Sequence, residues 1–174
     1  MYMLIMKLSL LSFVIFASIF SCKSQGKEYL TIFQDNPNSL AIVDNSNIFS
    51  ISENIDLATK LVQYGDKTTR QIAVVTVDSI SPYNDIQKYA SDLGNYWGVG
   101  QKDIDNGLLI VFSKPLRKVA ISTGYGTEKV LTDSICKQII DSVMIPKFKE
   151  DKYYEGIDMG VNAIIKIWDN SNTP

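Results

Sequence analysis

Two stretches of the chain are apolar at consecutive rather than alternate positions: Gln71-Ile-Ala-Val-Val-Thr-Val77 and Leu108-Leu-Ile-Val-Phe112. β-Branched and apolar residues in unbroken runs suit strands covered on both faces, as in a parallel sheet. Between them, Ser81-Pro82 opens a segment in which Ile86, Tyr89, Ala90, Leu93 and Trp97 recur at helical spacing, ending at Gly98-Val99-Gly100. A strand, a helical crossover and a second strand imply parallel neighbours joined by a right-handed connection. After a turn at Lys114–Arg117, Val119, Ile121 and Thr123 alternate with smaller residues, which predicts a third core strand returning antiparallel to the second.

The flanking segments complete an α/β domain. Ala41–Asp44 is a short extended piece, and Asn45 to Asn47 a turn. Ser50 and Glu53 make a capping box for a helix whose Ile51, Ile55, Ala58, Leu61 and Val62 form a stripe, stopped at Gly65. Thr132 is a good N-cap for a helix carrying Ile135, Ile139, Ile140 and Val143, closed by Pro146. Ile157, Val161, Ile164, Ile165 and Trp168 mark a last helix from Tyr153 to Trp168. The expected architecture is a small mixed sheet with both faces covered by helices.

Composition excludes several chemistries. The chain of 174 residues has no histidine, so imidazole general bases, Ser-His-Asp systems and His-ligated zinc are impossible within it. Charge is near balance, with 17 basic and 19 acidic residues and no basic run of the kind that nucleic-acid phosphates need.

The first 21 residues read as a bacterial lipoprotein signal peptide. Lys7 is their only charged residue, Leu8 to Phe20 are predominantly apolar, and Ser21-Cys22 follows, resembling a lipobox in which the Cys22 thiol is diacylated. Met6, directly before Lys7, is the expected natural start. The run is shorter than a membrane-spanning helix needs. Residues 22–39 then form a polar tether and 40–170 the folded domain. The expected location is the bacterial cell envelope, periplasmic or surface-exposed, with membrane attachment through lipidated Cys22. Several acyl chains anchor firmly at about 0.8 kcal/mol per buried methylene. Cys136, among Ile135, Ile139 and Ile140, reads as a small core residue and no disulfide is expected.

The candidate site lies between Gly100 and Asp133. Asp103, Asp105 and Asn106 stand immediately before the strand Gly107–Phe112, and the returning strand ends at Gly124-Tyr125-Gly126. In an antiparallel pair the start of one strand lies beside the end of the other, so these two groups belong at one edge of the sheet. Asp133 falls in the first turn of the following helix, where the macrodipole favours an anion. Carboxylates gathered this way repel one another, and a hard cation relieves the repulsion; flexible oxygen ligation suits Ca²⁺ better than Mg²⁺. Asp44 and Asn45 offer further oxygens. Equally, Asp and Asn before Gly are ordinary turn residues. An EF-hand loop starting at Asp103 would need its closing glutamate at Lys114, and no phosphate-binding G-x-x-x-x-G-K-[ST] pattern is present.

In order along the chain, Val43-Asp44, QIAVVTV (Gln71–Val77), YWGVG (Tyr96–Gly100), DNGLLIVF (Asp105–Phe112), RKVAISTGYG (Arg117–Gly126), VLTD (Val130–Asp133) and the Pro146–Ile157 segment resemble the TPM domain. This family occurs in secreted or membrane-tethered bacterial proteins and in a thylakoid-lumen protein described as an acid phosphatase and photosystem-repair factor. The resemblance implies a three-layer α/β/α sandwich. It also implies a divalent-cation site, calcium more than magnesium, at Asp44, Asp105 and Asp133 with Asp103 or Asn106 assisting and the Gly124-Tyr125-Gly126 loop beside it. Two functions follow. One is a tethered cation-binding accessory module acting with an envelope protein in membrane-protein maintenance. The other is a metal-assisted phosphomonoesterase, with Asp103 or Asp105 as general base and Lys102 or Lys129 facing the phosphate.

Overall fold

Every backbone N–H and C=O of the two apolar runs needs a partner once the runs are buried, and the sheet supplies them. In the computed structural model, which describes residues 33–171 except residue 37, four strands pair in the order β1-β2-β3-β4: β1 Ile42–Asp44, β2 Gln71–Thr76, β3 Gly107–Ser113 and β4 Lys118–Thr123. β1, β2 and β3 are parallel and β4 is antiparallel to β3. The register places Asp44 opposite Thr76 and Thr76 opposite Phe112 at one end, and Gln71 opposite Gly107 at the other. Residues 1–21, read above as a signal peptide, Cys22 and most of the expected tether lie outside the described residues. The fold is that of the compact unit beginning at Asp35.

Alternation across the sheet divides the core into two layers. Ile72, Val74, Leu108, Ile110, Phe112 and Ile121 face a large cluster that includes Leu57, Leu61 and Tyr64 of helix α1 (Ile51–Thr68). The same cluster holds Ile157, Val161, Ile164 and Trp168 of the last helix. Helix α2 (Ile86–Trp97) covers the opposite face, with Gly94 set against Leu109 and the Gln87 amide donating to the Ile121 carbonyl at 2.9 Å. The result is the expected α/β/α sandwich. Both crossovers step in the same direction across the sheet, yet α1 and α2 lie on opposite faces. The two connections therefore have opposite hands, and the right-handed preference is satisfied by only one of them.

Local signals differ from the sequence expectation at four places. α1 runs through Gly65 to Thr68, and Thr69 supplies the left-handed cap at φ 64°, its amide donating to the Gly65 carbonyl. The core face of α1 is Leu57, Leu61 and Tyr64; Ile51, Ile55 and Val62 are exposed. The Ser81–Pro82 bond is cis and belongs to a turn, while Asp85 caps α2 through the Lys88 amide at 2.8 Å. Pro146 does not close its helix. After α3 (Tyr125–Glu128) and α4 (Asp133–Ile139), a π-helical turn over Ile140–Met144 leads without a break into α5 (Ile145–Phe148), so the helical path continues past Pro146. α6 (Tyr153–Asp169) follows. Its Gly156 and Gly160 lie against Phe148 and Met144, which lets the π turn and α6 approach closely.

The buried Arg70 has its charge met at the C-terminal end of α6. Its guanidinium bonds Asp169 at 3.3 Å and the Tyr64 hydroxyl at 3.2 Å and stacks over Trp168 at 5.3 Å. Removing the acid would take this carboxylate from a buried guanidinium, although Asp169 itself is half-exposed and partly screened by solvent. Asp169→Ala is expected to destabilise the fold by about 1–2 kcal/mol, measured by urea unfolding. An unchanged midpoint would show that this pair contributes nothing.

Candidate functional site

The end of the sheet where β3 begins is built by backbone packed on backbone. A Cβ on Gly107 would overlap the Val99 carbonyl oxygen, and one on Gly126 would overlap the Ile104 carbonyl oxygen. The Gly98–Gly100 turn, the Asp103–Gly107 turn and the Gly124–Gly126 segment are thus pressed together where only glycine fits. Asp105 has φ 52°. Its carbonyl accepts from the amides of Gly126 and Thr127, at 3.2 and 3.3 Å, so the turn is pinned to the N-terminus of α3. Thr127 is buried and its hydroxyl donates to the Gly107 carbonyl at 3.1 Å.

Asn106 is fully buried and acts as the clasp of this end. Its side-chain oxygen accepts from the Gln101 amide at 2.8 Å, its NH₂ donates to the Thr69 carbonyl at 3.0 Å, and its own carbonyl accepts from Gln71 N–H. One residue thus ties the α1–β2 connection at Thr69–Gln71 to the turn after α2. Asn106 is therefore a structural residue, its side-chain oxygen and nitrogen both committed inside the fold.

Asp44 is not part of this end. The register sets it level with Thr76 and Phe112, five residues along the strands from Gln71 and Gly107, or roughly 16 Å at ~3.3 Å per residue. Its carboxylate accepts from the amides of Ile48 and Phe49, at 3.1 and 2.9 Å, and from the Thr76 hydroxyl. Asp44 orders the turn into α1, and Asn45 beside it is exposed at that same far end. The parallel pairing of β1 with β2 is the reason, since it directs the C-terminal end of β1 away from the start of β3.

The remaining acids are disposed differently. Asp103 and Asp105 are exposed, and neither carboxylate is in a hydrogen bond or ion pair among the described residues. Tyr125, between the two glycines, is 81 % exposed. Asp133 is exposed in the first turn of α4, after the Thr132 cap, and is likewise without an ion pair. No group of three or more acidic or cysteine side chains among the described residues is placed to hold a metal ion. The full set of Asp44, Asp103, Asp105, Asn106 and Asp133 thus does not fit a single ion. The sequence-level reading missed Gln101, Thr69 and Thr127, the residues that fix the turn. Only tertiary pairing reveals them, because nothing in their spacing marks them.

Cys136 lies on the buried face of α4. Burial chiefly, then the negative charges of Asp133 and Glu128, push its thiol up to about 12. It is a core residue, as its neighbours indicate.

Gly126→Ala is expected to disrupt this end by several kcal/mol, because the overlapping atoms are backbone and cannot rotate away. Asn106→Ala should cost about 2–3 kcal/mol for the orphaned buried partners. Thermal unfolding checks both; near-wild-type melting in either variant would refute the clasp. For Cys136 the thiol's raised pKa means the unfolded chain loses its proton first, so folded stability falls as pH rises from the ordinary thiol range toward about 12. Native protein at pH 8 should therefore resist thiol reagents that label the unfolded chain quickly, as followed by mass spectrometry.

The comparisons with known proteins agree with this architecture. The family model described as the TPM domain matches residues 42–167. A solution structure of the N-terminal domain of a P. gingivalis protein is 31 % identical, with a TM-score of 0.69, covering 75 % of this chain and 83 % of that one. Two more distant structures share the fold. The N-terminal domain of the cg2496 protein of Corynebacterium glutamicum is 12 % identical at TM-score 0.59, covering 76 % of this chain and 82 % of that one. The BA42 protein of Bizionia argentinensis is 15 % identical at TM-score 0.60, covering 71 % and 83 %. No curated protein matches. The order of strands, the pinned DNG and GYG turns and the extent of the family match lead to one assignment: the chain belongs to the TPM domain family.

Proposed function

We propose that this chain is a membrane-tethered, lipid-anchored accessory module of the bacterial envelope, and that the DNG end of its sheet binds a partner with help from a divalent cation. The observation that carries the reading is a contrast at one turn. The Asp105 backbone is held by Gly126 and Thr127, while the carboxylates of Asp103 and Asp105 remain exposed and unpaired. A rigid turn that leaves two acids free lowers the ordering cost of binding. Asp103 and Asp105 would hold the ion, with Asp133 as a further donor. Asp44 and Asn106 are excluded from that set by their commitments within the fold. With so few protein ligands, water completes the coordination, and affinity belongs in the weak extracellular range of about 10⁻⁴–10⁻³ M. Calcium suits such a site better than magnesium because it tolerates irregular oxygen geometry.

The phosphomonoesterase reading has less support. Arg70 is buried against Asp169 and Trp168, and Arg117 lies in the β3–β4 turn at the opposite end of the sheet. The Asp105 end therefore has no arginine to clamp a phosphate, and only the exposed Lys102 and Lys129 stand nearby in sequence.

Titration of CaCl₂, MgCl₂ and MnCl₂ into the isotope-labelled chain separates these outcomes. Saturable shifts in the amides of residues 101–107 and 124–128 are expected with Ca²⁺, abolished by Asp105→Asn and retained in Asp44→Asn. Absence of saturable shifts with every cation would sink the ion reading. Turnover of p-nitrophenyl phosphate that Asp105→Asn abolishes, with the fold intact, would transfer the proposal to the enzyme.

A further inference from the structure

Helix α1 carries two apolar lines, and only one of them faces the core. Leu57, Leu61 and Tyr64 are buried, whereas Ile51 is 81 % exposed, Ile55 59 % and Val62 52 %. Ile51, Ile55, Ala58 and Val62 fall at i, i+4, i+7 and i+11 and so lie along one edge of the helix. Large apolar residues in a continuous line on a surface mark an interaction site more often than isolated ones do.

The charge pattern around this line is selective. Among the exposed residues from Ile51 to Gln63, namely Ile51, Ser52, Ile55, Asp56, Thr59, Val62 and Gln63, only Asp56 is charged. The charges of α1 over this span are turned toward α6. Lys60 pairs with Asp158 there, and Glu53 and Asp56 act electrostatically on Tyr154. Depletion of charge at the centre of a surface is the compositional signature of a protein interface. A lipid surface would call for free lysines or arginines beside the apolar line, and the one basic residue over these three turns, Lys60, is paired with Asp158 on the α6 side.

The line is also complementary to itself. At its C-terminal end a groove of about 480 Å³ opens between α1, the segment before β1 and the end of α2, lined by Leu40, Val62, Gly65, Trp97 and Val99 among others. At its N-terminal end stands the protruding Ile51. If two copies of α1 pack antiparallel about a two-fold axis at Ala58, Ile51 of each lies opposite Gly65 of the other, beside the groove. The two residues are 14 positions apart, roughly 21 Å at ~1.5 Å rise per residue. The small Ala58 at the axis permits close approach, and Asp66, exposed in the groove, comes opposite Ser50 at the N-terminus of the partner's α1 in this register, where the macrodipole favours an anion.

We infer that the exposed face of α1 is a self-association surface, on which a second copy of this chain docks by antiparallel α1–α1′ packing with Ile51 seated in the partner's Leu40–Val62 groove. Tethering to a shared membrane would raise the local concentration, so a modest intrinsic affinity suffices.

The test uses the full chain in mild detergent, with Cys22→Ser so that residue 58 can supply the accessible thiol, Cys136 being buried. Sedimentation velocity over a concentration series should show a reversible species of twice the protein mass. Ile55→Asp should weaken it by about tenfold or more, on the scale of a central interface residue, while leaving the melting curve unchanged because the position is exposed. Ala58→Cys should be joined to its copy by a short bismaleimide, and this product should vanish in Ala58→Cys/Ile55→Asp. A monomer at every concentration would overturn the inference and leave the line to a different protein or a lipid surface. A dimer indifferent to Ile55→Asp, with no cross-link at residue 58, would overturn it equally, since association would then run through a different surface.

Discussion

The arrangement depends on a steric constraint at the start of β3, where three turns meet with no side chains between them. Gly107 lies against the Val99 carbonyl, and Gly124 and Gly126 lie against the carbonyls of Asp105 and Ile104. Close approach of this kind places unmatched backbone polar groups near one another, and they must be paired. Asn106 does most of the pairing, joining the end of α1, the turn after α2 and the start of β2. Its burial shows why a residue that resembles a metal ligand in sequence is a structural clasp in the fold.

The same geometry separates the acids by role. Asp44 stands at the far end of the sheet, holding two backbone amides and a threonine hydroxyl, so its charge stabilises the turn into α1. Asp103 and Asp105 sit on the pinned turn with their carboxylates turned out to solvent. A carboxylate that accepts several N–H bonds is structural by commitment, and one on a rigid turn without partners is available for binding. This distinction sets Asp44 and Asn106 apart from Asp103 and Asp105, the acids that the pinned turn leaves free.

Helix α1 illustrates a second division of labour. Either of its apolar lines satisfies helical spacing, and the line through Ile51, Ile55 and Val62 is the more evident in sequence. Tyr64 decides between them, because its ring packs beside Trp168 and its hydroxyl reaches Asp169 and Arg70. The aliphatic line is left outside, leading into the groove lined by Leu40 and Val62. The opposite hands of the two crossovers have a related origin: α1 must cover the face that α6 shares, and α2 takes the face that remains.

Much of the fold was legible in the amino-acid order. The unbroken apolar runs 71–77 and 108–112 required strands buried on both faces, the spacing between them required a parallel crossover, and the short turn at 114–117 required an antiparallel return. The glycines of the DNG and GYG turns and the caps at Ser50 and Thr132 were equally local, since each is a matter of one residue's backbone or a three-residue hydrogen bond. What sequence could not decide was register and facing. Whether Asp44 meets Asp105 depends on the direction in which β1 pairs, which face of α1 is buried depends on an aromatic contact 104 residues away, and whether Asn106 is a ligand or a clasp depends on backbone groups of Thr69, Gln71 and Gln101. Those are long-range pairings, and only the closed tertiary structure chooses among them.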